Sequence, residues 1–227
     1  MKLVKKGKTK DVYELGNGNY LLKFKDTVTG HPTGEKDPGG NKVVGSIEGV
    51  GNNALRVTTY FFELLKAKKI KSHYVGANIV NNELEVKAAK PFGSGLEFVY
   101  RYIATGSFYK RFGLYCKDGE ELNPGVFEVT LKDDDHDDPP ATIDILLALK
   151  LLTTKQYKDI KKMTIKISDL IKEDLKKKNM DLYDIKLEFG LVEGKVMLID
   201  EISGGNMRVF REGKKLDYDT LSKYVLE

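Results

Sequence analysis

Two acidic residues stand in the strand-forming segment KLEFGLVEGKVMLIDEISGGNMR, residues 186–208, at positions where apolar residues would pack better. If residues 193–195 form a three-residue loop, Glu188 falls opposite Asp200, and most apolar residues gather on the other face. A two-residue loop would shift the register by one residue and put the two acids on opposite faces, and we prefer the first register because it groups the apolar residues. Two neighbouring carboxylates repel each other, and a bound cation removes that cost. Carboxylate oxygens completed by substrate phosphates suit Mg²⁺. The alternative interpretation is an exposed sheet face with incidental acids.

A second segment suits a phosphate. In KKGKTKDVYE, residues 5–14, Gly7 lies among four lysines directly before a predicted strand. Glycine lets the backbone approach a phosphate and donate its amide, and the lysines supply positive charge. A Walker A loop is excluded, because that motif needs a glycine where Lys2 stands and a helix afterwards. A glycine-lysine loop between strands is closer to the way protein kinases cover ATP, although an ordinary basic amino terminus has the same composition.

A third segment, RYIATGSFYKRFG at residues 101–113, offers cations and a hydroxyl to an anion. Arginine suits phosphate because its planar fork donates two parallel hydrogen bonds. Arg101, Ser107, Lys110 and Arg111 are the candidates. The alternative is an ordinary amphipathic turn with surface arginines.

The acidic run KDDDHDDPP, residues 132–140, is typical of a solvated loop before two prolines. In a functional interpretation, Asp134 and Asp138 orient a substrate amine or hydroxyl. The three histidines of the chain show no ligand spacing, so no zinc site is predicted. No GxSxG or Cys/His nucleophile pattern occurs either.

Strands and turns are predicted to position these residues in the first half of the chain. Residues 12–15 and 20–25 are β-prone runs, joined by the hairpin signal Gly-Asn-Gly-Asn. Residues 74–103 alternate again, most clearly at 96–101. The segment 26–42 is rich in Gly, Pro, Thr and charge and is predicted to be a long loop; whether it closes over a nucleotide is left open.

Two helices are predicted. One runs from a cap at Asn52-Asn53 to about Lys69, and the other runs from a cap at Thr153 or Thr154 to about Lys178. Strands first, then a helix and a hairpin, predict an α+β fold in two lobes. We place a smaller, mainly β lobe at residues 1–92 and a larger α+β lobe at 93–227.

Composition narrows the functional classes. The chain has 227 residues, a net charge of +4 and one cysteine, Cys116, so no internal disulfide forms. Basic and acidic residues are mixed along the chain, so no nucleic-acid-binding stripe is predicted. No signal peptide and no membrane span are predicted, and the expected location is the cytoplasm.

Seven segments, in chain order, resemble the phosphoribosylaminoimidazole-succinocarboxamide synthase family, the SAICAR synthetases of purine biosynthesis. They extend over essentially the whole chain, and the arginine-to-serine segment, DIKLEFG and the last segment are the most specific. The segments are GKTKDVYE (7–14), GVGNN (49–53), EFVYRYIATGS (97–107), ELNP (121–124), KDDDHDDP (132–139), DIKLEFG (184–190) and IDEISGGNMR (199–208).

The resemblance implies an ATP-dependent ligase that joins L-aspartate to the carboxylate of carboxyaminoimidazole ribonucleotide through an acyl-phosphate. It implies a two-lobed α+β fold similar to kinases and ATP-grasp enzymes, with the smaller lobe over ATP. It implies ATP and Mg²⁺ as cofactors, and a homodimer is the family's commoner state. The implied site residues are Lys8, Lys10 and Glu97 for ATP; Arg101, Ser107 and Arg208 for the ribonucleotide; Lys132, Asp138 and Lys186 for catalysis; and Glu188 and Asp200 for Mg²⁺.

The sequence also departs from the family. After Ser203 many relatives continue with proline and aspartate, whereas Gly204-Gly205-Asn206 stand here. Two rival interpretations are another ATP-dependent carboxylate–amine ligase and a non-catalytic nucleotide- or RNA-binding protein. Arg101, Ser107 and Arg208 indicate a phosphorylated substrate, which argues against the first rival. An RNA-binding protein would have no need of Glu188 and Asp200 together, which argues against the second.

Overall fold

The computed structural model describes residues 1–30 and 42–227. Its strands are β1 Lys2–Lys6, β2 Lys10–Glu14, β3 Asn19–Phe24, β4 Thr27–Gly30, β5 Lys42–Ser46, β6 Tyr74–Asn78, β7 Glu83–Lys87, β8 Lys90–Pro91, β9 Leu96–Ile103, β10 Glu121–Leu131, β11 Asp181–Val192, β12 Lys195–Ile199, β13 Met207–Arg211 and β14 Lys214–Lys215. Its helices are α1 Val50–Ala67, α2 Gly106–Phe112, α3 Ile143–Ala148, α4 Thr154–Lys177 and α5 Tyr218–Leu226, and Asp134–His136 form a 3₁₀ turn. The α+β prediction is confirmed. In the described part of the chain, no helix has the length and apolar character needed to cross a membrane.

The chain divides into two compact units. The first comprises Met1–Lys90, Gly190–Asn206 and Asp217–Glu227, and the second comprises Pro91–Phe189 and Met207–Leu216. The division after Lys90 lies two residues from the predicted boundary at 92. The continuous second lobe predicted over 93–227 differs from this division, because the chain returns to the first unit at Gly190, within β11, and again at Asp217.

The first unit is built on an antiparallel sheet in the order β1-β2-β3-β7-β6. Helix α1 packs against β3, β6 and α5. Leu55, Phe61, Phe62 and Leu65 recur at helical spacing along its buried side. The strands predicted at 12–15 and 20–25 are confirmed as β2 and β3.

Helix α1 begins earlier than predicted. It starts at Val50 after Gly49, which adopts a left-handed φ of 83° and offers no side-chain cap. The Asp26 carboxylate instead accepts the Gly51 amide at 3.0 Å. The predicted cap at Asn52-Asn53 is therefore wrong, and the Asn52 side chain bonds to the loop before β7.

The predicted long loop at 26–42 is partly strand. Its two ends form β4 and β5, which pair antiparallel between Thr27 and Ser46. Residues 31–41 lie outside the described residues. The question of whether this segment closes over a nucleotide depends on them.

The turn between β11 and β12 holds two residues, Glu193 and Gly194, both with positive φ, at 50° and 75°. Two such residues form the hairpin turn whose twist matches that of the flanking strands. The three-residue loop predicted from the sequence is therefore wrong, and the pairing of Glu188 with Asp200 derived from it loses its basis. Asp200 follows the end of β12 with a left-handed φ of 65°, so strand alternation does not set its direction.

The second unit is built on a sheet in the order β10-β9-β11-β13-β14. Strand β9 is buried over nearly its whole length, and Phe98 packs edge-on against Phe189 of β11. Helix α4 packs against β9. The predicted cap at Thr153 is confirmed, because Thr153 and Gln156 form a reciprocal capping box.

Candidate functional site

The glycine-lysine segment of the first unit forms a tight loop between the antiparallel strands β1 and β2. The Gly7 amide donates to the Lys10 carbonyl at 2.9 Å. A Cβ at Gly7 would lie 2.3 Å from that carbonyl oxygen, so only glycine fits this turn without a backbone shift. The loop therefore has the between-strand setting predicted for a phosphate-binding turn.

Lys10 points from this loop to the acids that follow β12. Its Nζ lies 3.0 Å from Asp200 Oδ1 and also donates to Glu201 Oε1. Burial lowers the pKa of the Lys10 ammonium, but the charges and hydrogen bonds of Asp200 and Glu201 outweigh burial and raise the pKa above its usual value. Lys10 is thus a fixed cation, and the structure brings the predicted ATP ligand together with the predicted metal ligand Asp200.

The backbone after β12 is held in place from several sides. His73 Nε2 lies 3.1 Å from the Asp200 carbonyl oxygen, and burial lowers the pKa of His73 to about 4. The ring is therefore neutral at pH 7 and donates its Nε2–H to that oxygen. The Asn206 side chain donates to the Glu201 carbonyl and accepts the Ser203 amide, both at 2.7 Å. Asn206 therefore fixes the shape of the acidic turn.

In the second unit, two arginines meet at one buried carboxylate. Arg101 Nη1 and Arg208 Nη1 donate to the same oxygen of Asp184, at 2.8 and 2.6 Å. Arg101 Nη2 also donates to Ser107 Oγ at 3.1 Å. The structure thus brings the three predicted phosphate-binding residues together, because Arg101 and Asp184 are partners across β9 and β11.

Two further residues define this arginine cluster. Glu128 of β10 accepts hydrogen bonds from both Arg101 and Arg111. Gly106 begins α2 with a φ of 54°, and a Cβ there would lie 2.7 Å from Arg208 Nη2. The three arginines carry one charge more than Asp184 and Glu128 together, so the cluster is suited to an anion.

A polar row crosses the same sheet. Glu97 of β9 pairs in register with Thr130 of β10 on one side and with Glu188 of β11 on the other. Lys186 Nζ binds Glu97 Oε1 at 2.6 Å, and Lys132 Nζ binds Glu188 Oε1 at 2.6 Å. Burial disfavours the Lys186 charge, but Glu97 and Glu188 outweigh burial and raise its pKa. The row thus gathers four predicted site residues.

Asp138 lies in the acidic loop after β10. The loop closes on itself, since Leu131 donates its amide to the Pro139 carbonyl and Asp138 Oδ1 accepts the Asp133 amide at 2.7 Å. Asp138 has a left-handed φ of 46°. Lys8, the remaining predicted residue, is an exposed side chain of the turn before β2.

Sequence reasoning missed four residues that hold the predicted ones in place: His73, Glu128, Asp184 and Glu201. Asp184 had a usable signal, because Asp184, Lys186 and Glu188 alternate along one strand and so share a face. Glu128 stands in a segment with no motif. The sequence around His73 carries no sign of its hydrogen bond to the Asp200 carbonyl oxygen.

The donor chemistry fits Mg²⁺ bound with a nucleotide. Among residues 1–30 and 42–227, no group of three or more His, Cys, Asp or Glu side chains is placed to hold a metal ion by itself. Mg²⁺ is commonly held by one or two carboxylates, with substrate phosphates and water completing its shell. Glu188 and Asp200 offer such carboxylate oxygens, each now bound to a lysine.

Comparison with known proteins identifies close relatives. A family model described as SAICAR synthetase matches residues 3–226. The phosphoribosylaminoimidazole-succinocarboxamide synthase of Clostridium tetani is 51% identical over 229 residues and is covered completely, as is this chain. The crystal structure of that synthase from Ehrlichia chaffeensis has a TM-score of 0.85 at 27% identity, over 96% of this chain and 90% of the other. A SAICAR synthetase in complex with ADP has a TM-score of 0.84 at 29% identity, and the match covers 96% of this chain and 88% of the other.

Proposed function

This chain belongs to the SAICAR synthetase family, and on this premise we propose that it joins L-aspartate to the carboxylate of 5-amino-1-(5-phosphoribosyl)imidazole-4-carboxylate. It is an ATP-dependent carbon–nitrogen ligase of purine biosynthesis that releases ADP and phosphate. One structural observation carries the assignment of substrate: Arg101 and Arg208 converge on buried Asp184, an arrangement suited to a substrate with a phosphate group.

The reaction needs ATP because a carboxylate oxygen is a poor leaving group. A carboxylate oxygen of the ribonucleotide attacks the γ-phosphorus of ATP, ADP leaves, and an acyl-phosphate forms. The amine of L-aspartate then attacks the acyl carbon, loses a proton, and phosphate leaves with the carbon–oxygen bond pair. The protein contributes positioning and charge neutralisation to both steps.

Lys8 and Lys10 are proposed to bind the ATP phosphates. The raised pKa of Lys10 keeps it cationic throughout the neutral range, so its ammonium is available to phosphate oxygens without a change of protonation. Glu97 is proposed to contact the nucleotide, and its carboxylate also orients the Lys186 ammonium at 2.6 Å.

Arg101, Ser107 and Arg208 are proposed to bind the phosphate of the ribonucleotide. Arg101 uses one N–H on each of its three nitrogens for Glu128, Asp184 and Ser107. A guanidinium carries five N–H donors, so two remain for an anion. Buried Asp184 and half-buried Glu128 thus fix the direction of the fork before substrate arrives.

Lys132, Asp138 and Lys186 are proposed to act at the reacting groups. Lys186 acts as a cation rather than a base, because Glu97 and Glu188 raise its pKa. It would stabilise negative charge on the acyl-phosphate and the departing phosphate. Asp138 is proposed to orient the aspartate amine with its carboxylate, whose Oδ1 now accepts the Asp133 amide.

Glu188 and Asp200 are each proposed as a carboxylate ligand of Mg²⁺ in the complex with ATP. The ion, when bound, neutralises phosphate charge and orients the γ-phosphoryl group. Each carboxylate now pairs with a lysine, Lys132 at Glu188 and Lys10 at Asp200, and a bound metal ion would compete with that lysine. Lys10 would keep its pair with Glu201. A cytoplasmic location, a homodimer and the absence of nucleic-acid binding stay predictions.

The experiment that tests this function is ADP release with Mg-ATP, the ribonucleotide and L-aspartate, omitting one component at a time. Turnover should require all three. Asp200→Asn and Glu188→Gln should each lower kcat by about a hundredfold or more and raise the Mg²⁺ concentration needed for half-maximal rate.

A matched control is Glu193→Gln, which removes an exposed carboxylate from the β11–β12 turn. It should leave turnover and Mg²⁺ dependence unchanged. ADP release that ignores the ribonucleotide would assign a different ligase. Full activity in Asp200→Asn and Glu188→Gln would contradict the proposal that these two residues bind Mg²⁺.

A further inference from the structure

Three consecutive backbone carbonyls in the loop between β1 and β2 accept hydrogen bonds from a single neighbouring segment. Lys25 Nζ donates to the Gly7 oxygen at 2.5 Å. Thr27 Oγ1 donates to the Lys8 oxygen, and the Lys25 amide donates to the Thr9 oxygen at 2.9 Å. Residues 25–27, which run from the end of β3 to the first residue of β4, therefore hold every carbonyl of the turn that carries Lys8.

The segment that provides these donors is itself anchored. The Asp26 carbonyl accepts the Ile47 amide at 2.8 Å and the Ser46 hydroxyl at 2.9 Å. A Cβ at Gly51 would lie 2.7 Å from the Lys25 carbonyl oxygen, so the start of α1 packs directly on this segment. Lys25 and Thr27 thus donate from a fixed support within the first unit.

The direction of the carbonyls matters to an anion. A carbonyl oxygen carries partial negative charge and repels phosphate, whereas backbone amides attract it. A loop whose carbonyls are all bound on one side cannot rotate a carbonyl toward the phosphate without losing a hydrogen bond. Lys25 also places a cation beside the loop, with Asp11 Oδ1 3.1 Å from its Nζ.

We propose that Lys25 and Thr27 are positioning residues for ATP, which hold the Gly7–Thr9 backbone so that its carbonyls face away from the phosphates. Neither side chain needs to touch the nucleotide. This inference rests on the proposed function, in which Lys8 and Lys10 bind the ATP phosphates.

The test compares Lys25→Met and Thr27→Val with two conservative variants, Lys25→Arg and Thr27→Ser, which keep a donor. Lys23→Met is the matched control, because Lys23 is a partly exposed lysine of β3 whose Nζ lies 3.6 Å from Glu83. The measurements are the Kd for ADP by calorimetry, KM for each substrate, kcat at saturating ATP, and the melting temperature of each variant.

We expect Lys25→Met to raise the Kd for ADP and KM for ATP about tenfold, and Thr27→Val to raise them about fivefold. The kcat at saturating ATP and KM for L-aspartate should stay within about twofold of wild type, a split that a general loss of structure would not produce. Thr27→Ser and Lys23→Met should bind ADP as the wild type does, and Lys25→Arg should bind it more tightly than Lys25→Met.

Thr27→Val replaces one hydroxyl by a methyl group of similar size, so it answers the question even if Lys25→Met does not fold. Wild-type affinity for ADP in a folded Thr27→Val variant, or equal weakening in Thr27→Ser and Thr27→Val, would overturn the inference alone. If the wild-type chain binds neither ATP nor ADP, the proposed function fails, and the inference fails with it.

Discussion

Glu97 and Glu188 face each other directly across β9 and β11 in the sheet of the second unit. Two carboxylates in that position repel each other and weaken the strand pair. Lys186 binds Glu97 and Lys132 binds Glu188, each at 2.6 Å, so the four charges cancel. The pairing of β9 with β11 at this point therefore depends on two lysines that are also proposed to act in catalysis.

Replacing Lys186 by methionine should destabilise the protein as well as inactivate it. Glu97 is only 6% exposed, and the substitution leaves its charge beside Glu188 with Thr130 as its remaining hydrogen-bond donor. We expect the free energy of unfolding to fall by about 3 kcal/mol, the usual cost of a buried charge that loses its partner. Urea denaturation at pH 7 measures it.

The double variant Lys186→Met with Glu97→Gln separates the two roles. It removes both charges and should regain most of the lost stability without regaining turnover. Lys176→Met, which breaks an exposed pair with Asp181, should cost less than about 1 kcal/mol. A double variant as unstable as Lys186→Met alone would contradict the charge balance described above.

Replacing Arg101 by lysine should weaken binding of the ribonucleotide selectively. Lysine keeps the charge but cannot donate to Glu128, Asp184 and Ser107 from a rigid fork. We expect KM for the ribonucleotide to rise at least about tenfold, while KM for ATP changes by less than about twofold. Steady-state kinetics with each substrate varied in turn measures both. Arg56→Lys, an exposed substitution on α1, is the control, and an equal rise in both KM values in Arg101→Lys would argue against a ribonucleotide site.

Some basic residues of the candidate site were predicted from residue type and local order, whereas Lys132, Lys186 and Arg208 followed only from the family resemblance. Lys10 and Arg101 stand in short segments whose composition indicates anion binding. Their partner acids are distant in sequence, and only the sheet pairing of β9 with β11 brings Arg101 to Asp184. A pattern within one segment cannot reveal such pairs.

The two local errors both fall next to a residue with left-handed backbone, but their causes differ. Both the cap of α1 and the β11–β12 turn depend on residues with left-handed backbone, Gly49 before the helix and Glu193 in the turn. Glutamate rarely adopts positive φ, so the sequence favoured a three-residue loop that grouped the apolar residues on one face. The cap was missed because it comes from Asp26, outside the helical segment.

The imidazole of His136 should have a pKa above the ordinary value for histidine. Its Nδ1 lies 2.8 Å from Asp133 Oδ2, and this hydrogen bond, followed by the Asp133 charge, raises the pKa of His136 above 6.5. Because the folded-state pKa of His136 is raised, the His136–Asp133 pair contributes its full stabilisation of the acidic loop below pH 6.5. This contribution is lost as the pH rises through the raised pKa. An NMR titration of the imidazole measures the shift. Asp133→Asn should return the pKa toward 6.5, and Asp135→Asn should lower it less; equal effects would exclude the Asp133 hydrogen bond as the main cause.

Replacing Gly106 by alanine should displace Arg208 and weaken binding of the ribonucleotide. The new methyl group would lie 2.7 Å from Arg208 Nη2, so the guanidinium must move away from its place on Asp184. A misplacement of about 1 Å in a positioning group can cost about a hundredfold in rate. We expect kcat/KM for the ribonucleotide to fall at least about tenfold. Kinetics at saturating ATP measures the loss.

The control for Gly106→Ala is Gly18→Ala. Both glycines have positive φ, at 54° and 84°, so alanine strains the backbone by about 1 kcal/mol at either position. A Cβ at Gly18 meets nothing within 4 Å, so that variant should lose stability without losing ribonucleotide affinity. Equal kinetic losses in the two variants would mean that backbone strain, rather than displacement of Arg208, limits the reaction. A loss confined to Gly106→Ala would support a role for the Arg208 guanidinium in binding the ribonucleotide, because that guanidinium is the group a Cβ at Gly106 would meet.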